Sequence, residues 1–395
     1  MNKTDLTQYK DRGYTGLANL GNTCFLNACL QVLHHTYELN AILDSPQIKK
    51  HVKESLSDTK IINEWNNLRE VMWQNNGVVS PNRFVHHVQL VAREKNCDLF
   101  TGFAQNDMSE FLQFIIQCLH NSVSRPMTMR ISGNVENHTD KMATECYKML
   151  RTVYSKEYSE IMDLYYAIYV SEISALPKAP GVVPKAPGVS QKVVPKGSKT
   201  KTSAKPVKSV IYSIKPECYF MVELPLPSPT QQDPMARMFS IQSGPTQTFS
   251  IYDCFDEFTK YEVLEGDNAW YNEAKGCKED VRKRFTFWNF PKILVVSLKR
   301  FSPCGEYKRH DLVDFPMTDL DLTRYVSGYN AQQYKYELFG VCNHIGGVQG
   351  GHYTAFVKNA DLKWLEYNDT HVTEIREDQV VSQSAYCLFY RYWGV

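Results

Sequence analysis

One segment divides the chain into two parts with different hydrophobic periodicity. Residues 177–208 contain eight lysines, six prolines and no acidic or aromatic residue. Such a composition cannot bury a core and favours extended chain, so we expect a disordered insertion. Before it, apolar residues recur at helical spacing, as in Ile62, Trp65, Leu68 and Met72. After it, short apolar runs bounded by turn residues indicate strands. Helices followed by strands predict an α+β fold.

The predicted elements follow from these patterns and from their boundary signals. Ser80-Pro81 has the form of a cap followed by proline at the first helical position, and Asp107 with Glu110 resembles a capping box. The predicted helices cover residues 25–33, 61–73, 82–92 and a run from 107 to 119. The predicted strands cover residues 210–224, 248–252, 284–288, 293–298, 336–343, 352–358, 362–367 and 386–392.

Composition excludes several classes of protein. The chain has 395 residues, 43% of them hydrophobic, which is room for one large domain or two to three ordinary ones. No apolar run is long enough to span a membrane, and residues 1–12 lack the apolar core of a signal peptide. The 11 cysteines are odd in number and are expected to be reduced thiols, without a disulfide framework. The expected location is therefore the cytoplasm, with the nucleus as an additional alternative.

Charge is distributed unevenly. The net charge is +1, which argues against a dedicated nucleic-acid binder. Residues 177–208 contribute eight of the positive charges, so the rest of the chain carries a net charge of −7. A basic patch for nucleic acid, anionic surfaces or nuclear import remains a weak alternative interpretation of this segment.

Cys24 is the first candidate for chemistry. It follows the small polar residues Asn19, Gly21 and Asn22 and precedes an apolar helical run. A thiol at a helix N-terminus faces unpaired N–H groups that favour the thiolate, which is a nucleophile. Taken alone, a cysteine before a helix is more often an inert buried residue. Cys29, five residues later, is expected in the core.

A second candidate group lies near the end of the sequence. Two glycine pairs, at 346–347 and 350–351, are expected to form a mobile loop before His352. Asn368 and Asp369 follow sixteen residues later. A cysteine nucleophile needs a histidine base, and that histidine needs an Asn or Asp to orient it. His344 is the competing base, but it precedes the glycine loop.

Five motifs in order resemble those of the ubiquitin-specific proteases, which are papain-like cysteine deubiquitinases. The resemblance runs from about residue 13 to 392, nearly the whole chain. Residues 16–27 resemble the family's cysteine box, and residues 350–355 resemble its histidine box. Between and after them stand a glutamine–aspartate segment at 102–112, a palm strand at 298–301 and a closing strand at 386–390.

The resemblance implies a right-hand architecture within one catalytic domain at 13–393. Its helical thumb would cover about 13–175, its β fingers about 209–284 and its mixed α/β palm about 285–393. The disordered insertion at 177–208 would lie between thumb and fingers.

The resemblance also implies a mechanism and a substrate. Cys24 would attack the carbonyl of ubiquitin's C-terminal glycine and form a thioester, and Asn19 would stabilise the oxyanion. His352 would act as general base and then acid. Asn368 would orient the imidazole of His352, and Asp369 would be a second candidate for that role. Ubiquitin and ubiquitinated proteins would be the partners, and no cofactor is expected.

The same resemblance assigns residues to the extended tail of ubiquitin. Gln105 and Asp107 match the positions that hold the tail in family members. Gly350 and Gly351 would border a passage that admits only a glycine-rich segment. Tyr353 would either close over the tail or pack within the palm. The acidic remainder of the chain suits a basic tail.

The sequence departs from the family pattern at the fingers. Many members carry two Cys-x-x-Cys pairs that bind zinc, and here no two cysteines have that spacing. Cys218 and Cys277 flank the region, but two ligands cannot complete a tetrahedral site. No structural zinc is therefore expected.

Three other functions remain open at this point. The chain could be a catalytically inactive scaffold that binds ubiquitin, which would bind without turnover. It could be a protease for a ubiquitin-like modifier, which competition between modifiers would reveal. It could also be a non-enzymatic interaction module built on residues 177–208, which would tolerate Cys24→Ala.

Overall fold

A computed structural model describes residues 6–74, 76–177, 210–228, 247–302 and 304–393. The predicted insertion at 177–208 therefore lies outside the described residues, apart from Pro177. Within the described part of the chain, no helix is long and apolar enough to cross a membrane.

The first part of the chain is mainly helical, as predicted. Its core forms where α1 packs against α6, and α4 packs on both α5 and α6. All eleven residues of α1 are buried, because this helix lies between the other helices and the sheet. The helices are α1 (Cys24–His34), α2 (Tyr37–Asp44), α3 (Pro46–Lys49), α4 (Thr59–Gln74), α5 (Asn82–Glu94), α6 (Met108–Val123), α7 (His138–Tyr154) and α8 (Glu160–Tyr165).

The second part is mainly strand, with one further helix among the described residues. The helix is α9 (Ile251–Thr259). Two short strands, β1 (Gly16–Leu17) and β2 (Val78–Val79), pair within the helical part, and β3 (Ala167–Ala175) ends it. The others are β4 (Ile211–Tyr219), β5 (Met221–Pro225), β6 (Thr248–Ser250), β7 (Glu262–Leu264), β8 (Trp270–Asn272), β9 (Cys277–Glu279), β10 (Val281–Phe287), β11 (Ile293–Lys299), β12 (Leu312–Asp314), β13 (Leu320–Asp321), β14 (Lys335–Gly347), β15 (Gly350–Lys358), β16 (Trp364–Asn368), β17 (His371–Ile375) and β18 (Ala385–Tyr392).

The large sheet carries one half of the candidate site. Its strand order is β17-β16-β15-β14-β18-β11-β5, and β13 pairs with β14. Strands β14 to β17 form an antiparallel meander, which places the turns β14–β15 and β16–β17 at the same end of the strands. Six of the seven residues of β11 are buried, as expected for an inner strand. Helix α1 packs directly on β14, β15 and β16.

A smaller sheet with the order β4-β3-β10-β7 extends away from the large one. Helix α7 packs on β4, and α9 packs on β10. The β8–β9 hairpin lies between β7 and β10 in the sequence and is stabilised by polar side chains. Asn272 Nδ2 and Lys275 Nζ both donate to the carboxylate of Glu279. Cys277 is exposed in this hairpin, while Cys218 lies 3.5 Å from the sulfur of Met149.

Three local predictions were wrong. Residues 248–252 are not one strand, because α9 begins at Ile251 behind a capping box formed by Ser250 and Asp253. Ser80 does not cap α5: Pro81 occupies the cap position and no side-chain cap bond is present. The predicted capping box at Asp107 is only half formed. Asp107 accepts from two N–H groups of α6, but Glu110 gives no reciprocal bond.

The α6 core yields a stability prediction. Ile115 is fully buried, whereas Gln113 is exposed on the same helix. We expect Ile115→Ala to lower the free energy of unfolding by about 2–5 kcal/mol, because it leaves a cavity in the packed core. Gln113→Ala should change it by less than about 0.5 kcal/mol. Equal effects of the two substitutions in denaturant titrations would contradict this packing.

Candidate active site

Cys24 is the first residue of α1, and the loop before it is shaped by Asn19. The Asn19 carbonyl oxygen Oδ1 accepts hydrogen bonds from the backbone N–H of Gly21 (3.0 Å) and of Thr23 (3.2 Å). Gly21 and Asn22 both have positive φ, at 103° and 56°. Glycine and asparagine tolerate this left-handed backbone better than other residues. The loop therefore turns sharply and delivers Cys24 to the start of the helix.

The electrostatic environment of Cys24 differs from the expected one. Cys24 is only 5% exposed, and this burial raises the pKa of its thiol. A hydrogen bond from the backbone of Tyr353 opposes this rise, while the negative charge of Asp369 adds to it. The expectation that the helix N-terminus alone favours a thiolate was wrong here, because desolvation is the largest cause. The free site holds a neutral thiol that needs a base.

His352 and Asn368 form the pair that the sequence predicted. His352 lies near the start of β15 and Asn368 is the last residue of β16. His352 Nε2 is 2.8 Å from Asn368 Oδ1. Because a carboxamide oxygen only accepts, Nε2 must carry the proton in this bond. The neutral imidazole then has its lone pair on Nδ1, so that nitrogen is free to accept a proton.

The turn between β16 and β17 is docked on the cysteine loop through Asp369. Asp369 has φ of 50°, and its two carboxylate oxygens accept from Asn19 Nδ2 (2.9 Å) and Asn27 Nδ2 (2.7 Å). Its backbone oxygen also accepts from the N–H of Leu17 (2.8 Å). The carboxylate of Asp369 thus binds the asparagines of the cysteine loop and α1, and Asn368 is the residue that meets His352.

Asp107 joins the helical part to the sheet at the side of the cleft. Its Oδ1 caps α6, accepting from Ser109 N–H at 2.7 Å. Its Oδ2 accepts from the hydroxyls of Tyr386 (2.6 Å) and Tyr353 (3.3 Å). Both tyrosines are 7% exposed. In the free structure Tyr353 therefore packs among these groups, and Asp107 both caps the helix and holds the tyrosine pair.

The glycine segment, predicted as a mobile loop before a strand that starts at His352, is a paired hairpin in which β15 already begins at Gly350. Gly346 pairs with Gly351 and Gly347 pairs with Gly350. A Cβ atom on Gly351 would lie 2.2 Å from His344 Nε2, and one on Gly346 (φ 116°) would lie 2.6 Å from the Gly350 oxygen. Gln105 lies against this hairpin, with Nε2 3.5 Å from the Gly351 oxygen. Glycine is needed at these two positions for close approach.

A cleft of about 190 Å³ lies beside Cys24 and brings part of the predicted set together, whereas Asn19, Gly350, His352, Asn368 and Asp369 are not among its lining residues. Its lining includes Cys24, Gln105, Asp107, Gly351 and Tyr353 from the predicted set. It also includes residues that the sequence analysis did not assign to the site: Asn22, Phe25, Asn106, Phe301, His344, Gly347 and Val348. Phe301 was quoted only as part of a strand motif, and its place in the cleft depends on long-range packing.

His344 is a poor candidate for the base. Burial lowers its pKa to about 4, and its ring lies 4.7 Å from the ring of Tyr353. Cys29 is fully buried, as predicted for a core residue. Within the described residues, no cluster of three or more His, Cys, Asp or Glu side chains is arranged to hold a metal ion.

The fold and the geometry of this site place the chain in the papain-like class of proteins. The comparisons agree with that class. A family model described as ubiquitin carboxyl-terminal hydrolase matches residues 15–390. Human ubiquitin carboxyl-terminal hydrolase 2 is 32% identical over 387 residues, which cover 96% of this chain and 55% of the relative. Usp2 of Drosophila melanogaster is 30% identical, covering 96% of this chain and 35% of the relative.

Solved structures support the same fold. A SAGA DUB module of Ubp8, Sgf11, Sus1 and Sgf73 bound to monoubiquitin contains a chain that matches with a TM-score of 0.65 and 22% identity. The match covers 97% of this chain and 70% of that chain. The chain described here belongs to the ubiquitin carboxyl-terminal hydrolase family. It spans about half the length of the human relative.

The glycine hairpin gives a matched pair of substitutions. Gly351→Ala should lower the free energy of unfolding by about 1–3 kcal/mol, because its Cβ would meet His344 and the Ile345 backbone oxygen at 2.5 Å or less. A Cβ on Gly347 meets nothing within 4 Å, so Gly347→Ala should change stability far less. Equal unfolding midpoints for the two variants would contradict this hairpin geometry.

The charge of Asp369 gives a prediction about pH. Because its carboxylate raises the pKa of Cys24, Asp369→Asn should lower that pKa. Iodoacetamide alkylation of Cys24, followed by peptide mass spectrometry, should then begin at lower pH than in the wild type. Asp378→Asn changes an exposed carboxylate that pairs with Arg376, and it should leave the profile unchanged. An Asp369→Asn profile that stays in place or moves to higher pH would refute the assigned electrostatic role.

Proposed function

We propose that this chain is a deubiquitinating cysteine protease that cleaves the bond after the C-terminal glycine of ubiquitin. The observation that carries the proposal is that His352 binds Asn368 at 2.8 Å while the backbone of the next residue, Tyr353, donates to the thiol of Cys24, which borders a narrow cleft. The relatives are named ubiquitin carboxyl-terminal hydrolases, and the matched structure contains ubiquitin, which supports the same substrate for this chain.

The protonation states favour a base-assisted attack. The thiol of Cys24 is neutral at rest because burial raises its pKa. His352 Nδ1 holds the lone pair, since Nε2 donates to Asn368. His352 takes the thiol proton as the sulfur attacks the glycine carbonyl, and the tetrahedral adduct forms. The imidazolium then protonates the leaving lysine amine, and a thioester remains on Cys24.

Asn19 is placed to stabilise the oxyanion. Its carboxamide N–H₂ has two protons, and one of them is bound by Asp369. The second proton remains available for the developing negative charge on the substrate oxygen, together with backbone N–H groups at the start of α1. Asp369 fixes the orientation of this amide, so its role is to position Asn19. Water, activated by His352, then hydrolyses the thioester and releases ubiquitin.

The cleft suits an extended tail that ends in two glycines. Neighbouring groups lie close to the hairpin backbone at Gly350 and Gly351. A Cβ atom built on Gly350 would lie 3.1 Å from Oε1 of Gln105. The carboxylate of Asp107 adds negative charge on one side of the cleft. These features favour a narrow, basic, glycine-terminated peptide.

Reaction with ubiquitin carrying a C-terminal electrophile tests the proposal. The wild type should form a covalent adduct on Cys24, and Cys24→Ala should form none. His352→Ala and Asn368→Ala should react more slowly, the former by roughly 10²–10⁴-fold, because a positioned base contributes that much. Cys277→Ala removes an exposed thiol of the β8–β9 hairpin and should react normally.

The same experiment separates the alternative functions. Measurable binding of ubiquitin without an adduct would favour an inactive scaffold. Absence of both binding and adduct, followed by reaction with the tail of a ubiquitin-like modifier, would favour a protease for that modifier. An adduct that persists in Cys24→Ala would overturn the assignment of the nucleophile.

A further inference from the structure

Lys308 lies in a second hairpin that flanks the cleft. Residues 300–302 follow β11 and residues 304–309 return alongside them, with Phe301 and Lys308 facing each other in an antiparallel bridge. The N–H of Arg309 donates to the Arg300 oxygen at 2.7 Å and closes the base of this hairpin. Phe301 lines the cleft, but Lys308 is behind it and does not contribute to the lining.

The ammonium group of Lys308 joins this hairpin to the glycine hairpin. Lys308 is 8% exposed, and Nζ donates to the backbone oxygen of His344 (2.6 Å) and to that of Gly346 (3.3 Å). It forms no ion pair with any carboxylate of the described residues. The ammonium group also lies over the ring of Phe301, 6.0 Å from its centre.

Burial of this ammonium group without a carboxylate is unfavourable. Burial, with a further contribution from the nearby Arg300, lowers the pKa of Lys308 to about 8. An apolar side chain of similar length would avoid the desolvation cost of the charge. The desolvation of the charge therefore opposes a stabilising contribution from this lysine. Its two hydrogen bonds do have a distinct effect, because they fix the peptide oxygens on either side of Ile345.

We propose that Lys308 is a positioning residue that holds the glycine hairpin in the conformation that receives the substrate tail. Gly346 pairs directly with Gly351, so fixing the Gly346 oxygen also fixes the strand that forms the cleft wall. The proposal rests on the proposed deubiquitinating function for its substrate. Lys308 itself touches neither the nucleophile nor the cleft.

Steady-state kinetics with a fluorogenic C-terminal amide of ubiquitin test this role. Lys308→Met should raise KM roughly tenfold or more, the expected loss for a charge-assisted hydrogen bond. It should change kcat less than KM, because Lys308 contacts none of Cys24, His352 and Asn368. The thermal midpoint should stay the same or rise. A fall in the midpoint together with equal losses in kcat and kcat/KM would show a merely structural role and overturn the proposal.

Lys299→Met is the matched control. Lys299 is the last residue of β11, and its side chain is 55% exposed and pairs with Glu223 on the surface. This variant removes one lysine from the neighbouring chain segment without altering the glycine hairpin. Its KM, kcat and thermal midpoint should match those of the wild type.

Amide hydrogen exchange tests the positioning without any enzymatic activity. In Lys308→Met the amides of residues 345–351 should exchange faster than in the wild type, whereas in Lys299→Met they should not. Unchanged exchange at these residues would overturn the proposal, even if the wild type hydrolysed nothing. A wild type that fails to hydrolyse the ubiquitin amide, combined with faster exchange in Lys308→Met, would instead count against the substrate and leave the tether supported.

Discussion

The candidate site depends on one carboxylate that joins two distant parts of the chain. Asp369 accepts one hydrogen bond from Asn19 and another from Asn27, more than 340 residues earlier in the sequence. These bonds fasten the β16–β17 turn to the loop and helix that carry Cys24. Since Asn368 precedes Asp369 directly, the same contact sets where the His352 partner stands. The charge of Asp369 also adds to the rise in the pKa of the thiol that burial causes, so one group affects both geometry and protonation.

This arrangement explains why a buried thiol still suits nucleophilic chemistry. A permanently ionised Cys24 would need a nearby positive charge, and Asp369 supplies the opposite sign. The site instead stores the proton on sulfur and provides an imidazole whose tautomer is set by Asn368. In the proposed mechanism, charge develops only when the substrate is in place and the proton moves to His352. A neutral Asn368 orients that ring without adding a second negative charge beside Asp369.

The sequence predicted the contact between His352 and Asn368 better than it predicted some local elements. Cys24, His352 and Asn368 were chosen as candidates because each proposed role needs a particular residue type, and the order of motifs suggested one fold. Helix α9 was missed although Ser250 and Asp253 have capping-box spacing. The β-rich context and the short apolar run at 248–252 suggested a strand, and the run of buried positions at Ile251, Cys254 and Phe255 was overlooked.

Other features could not be deduced from local sequence, because they arise from contacts between distant segments. Phe301 and His344 enter the cleft only when β11, β14 and β18 are assembled. Asp107 is a similar case because it has two roles. Its helix-capping role was expected from its position before α6. Its hydrogen bond from the Tyr386 hydroxyl could not be expected, because it forms only when β18 lies beside the start of α6. Likewise, the pKa of Cys24 depends on how much protein covers it, a quantity that no motif contains.

Of the two hairpins beside the cleft, one forms part of the cleft wall and the other holds it in place through Lys308. The glycine hairpin needs residues without side chains because His344 and the Gly350 oxygen approach its backbone closely, and such residues provide no packing of their own. Fixation must then come from neighbouring groups that contact backbone atoms. Lys308 from behind and Gln105 from the side meet that requirement, because both bond to or lie against main-chain oxygens of the hairpin. Backbone-directed contacts therefore stand in for the side-chain packing that the glycines lack.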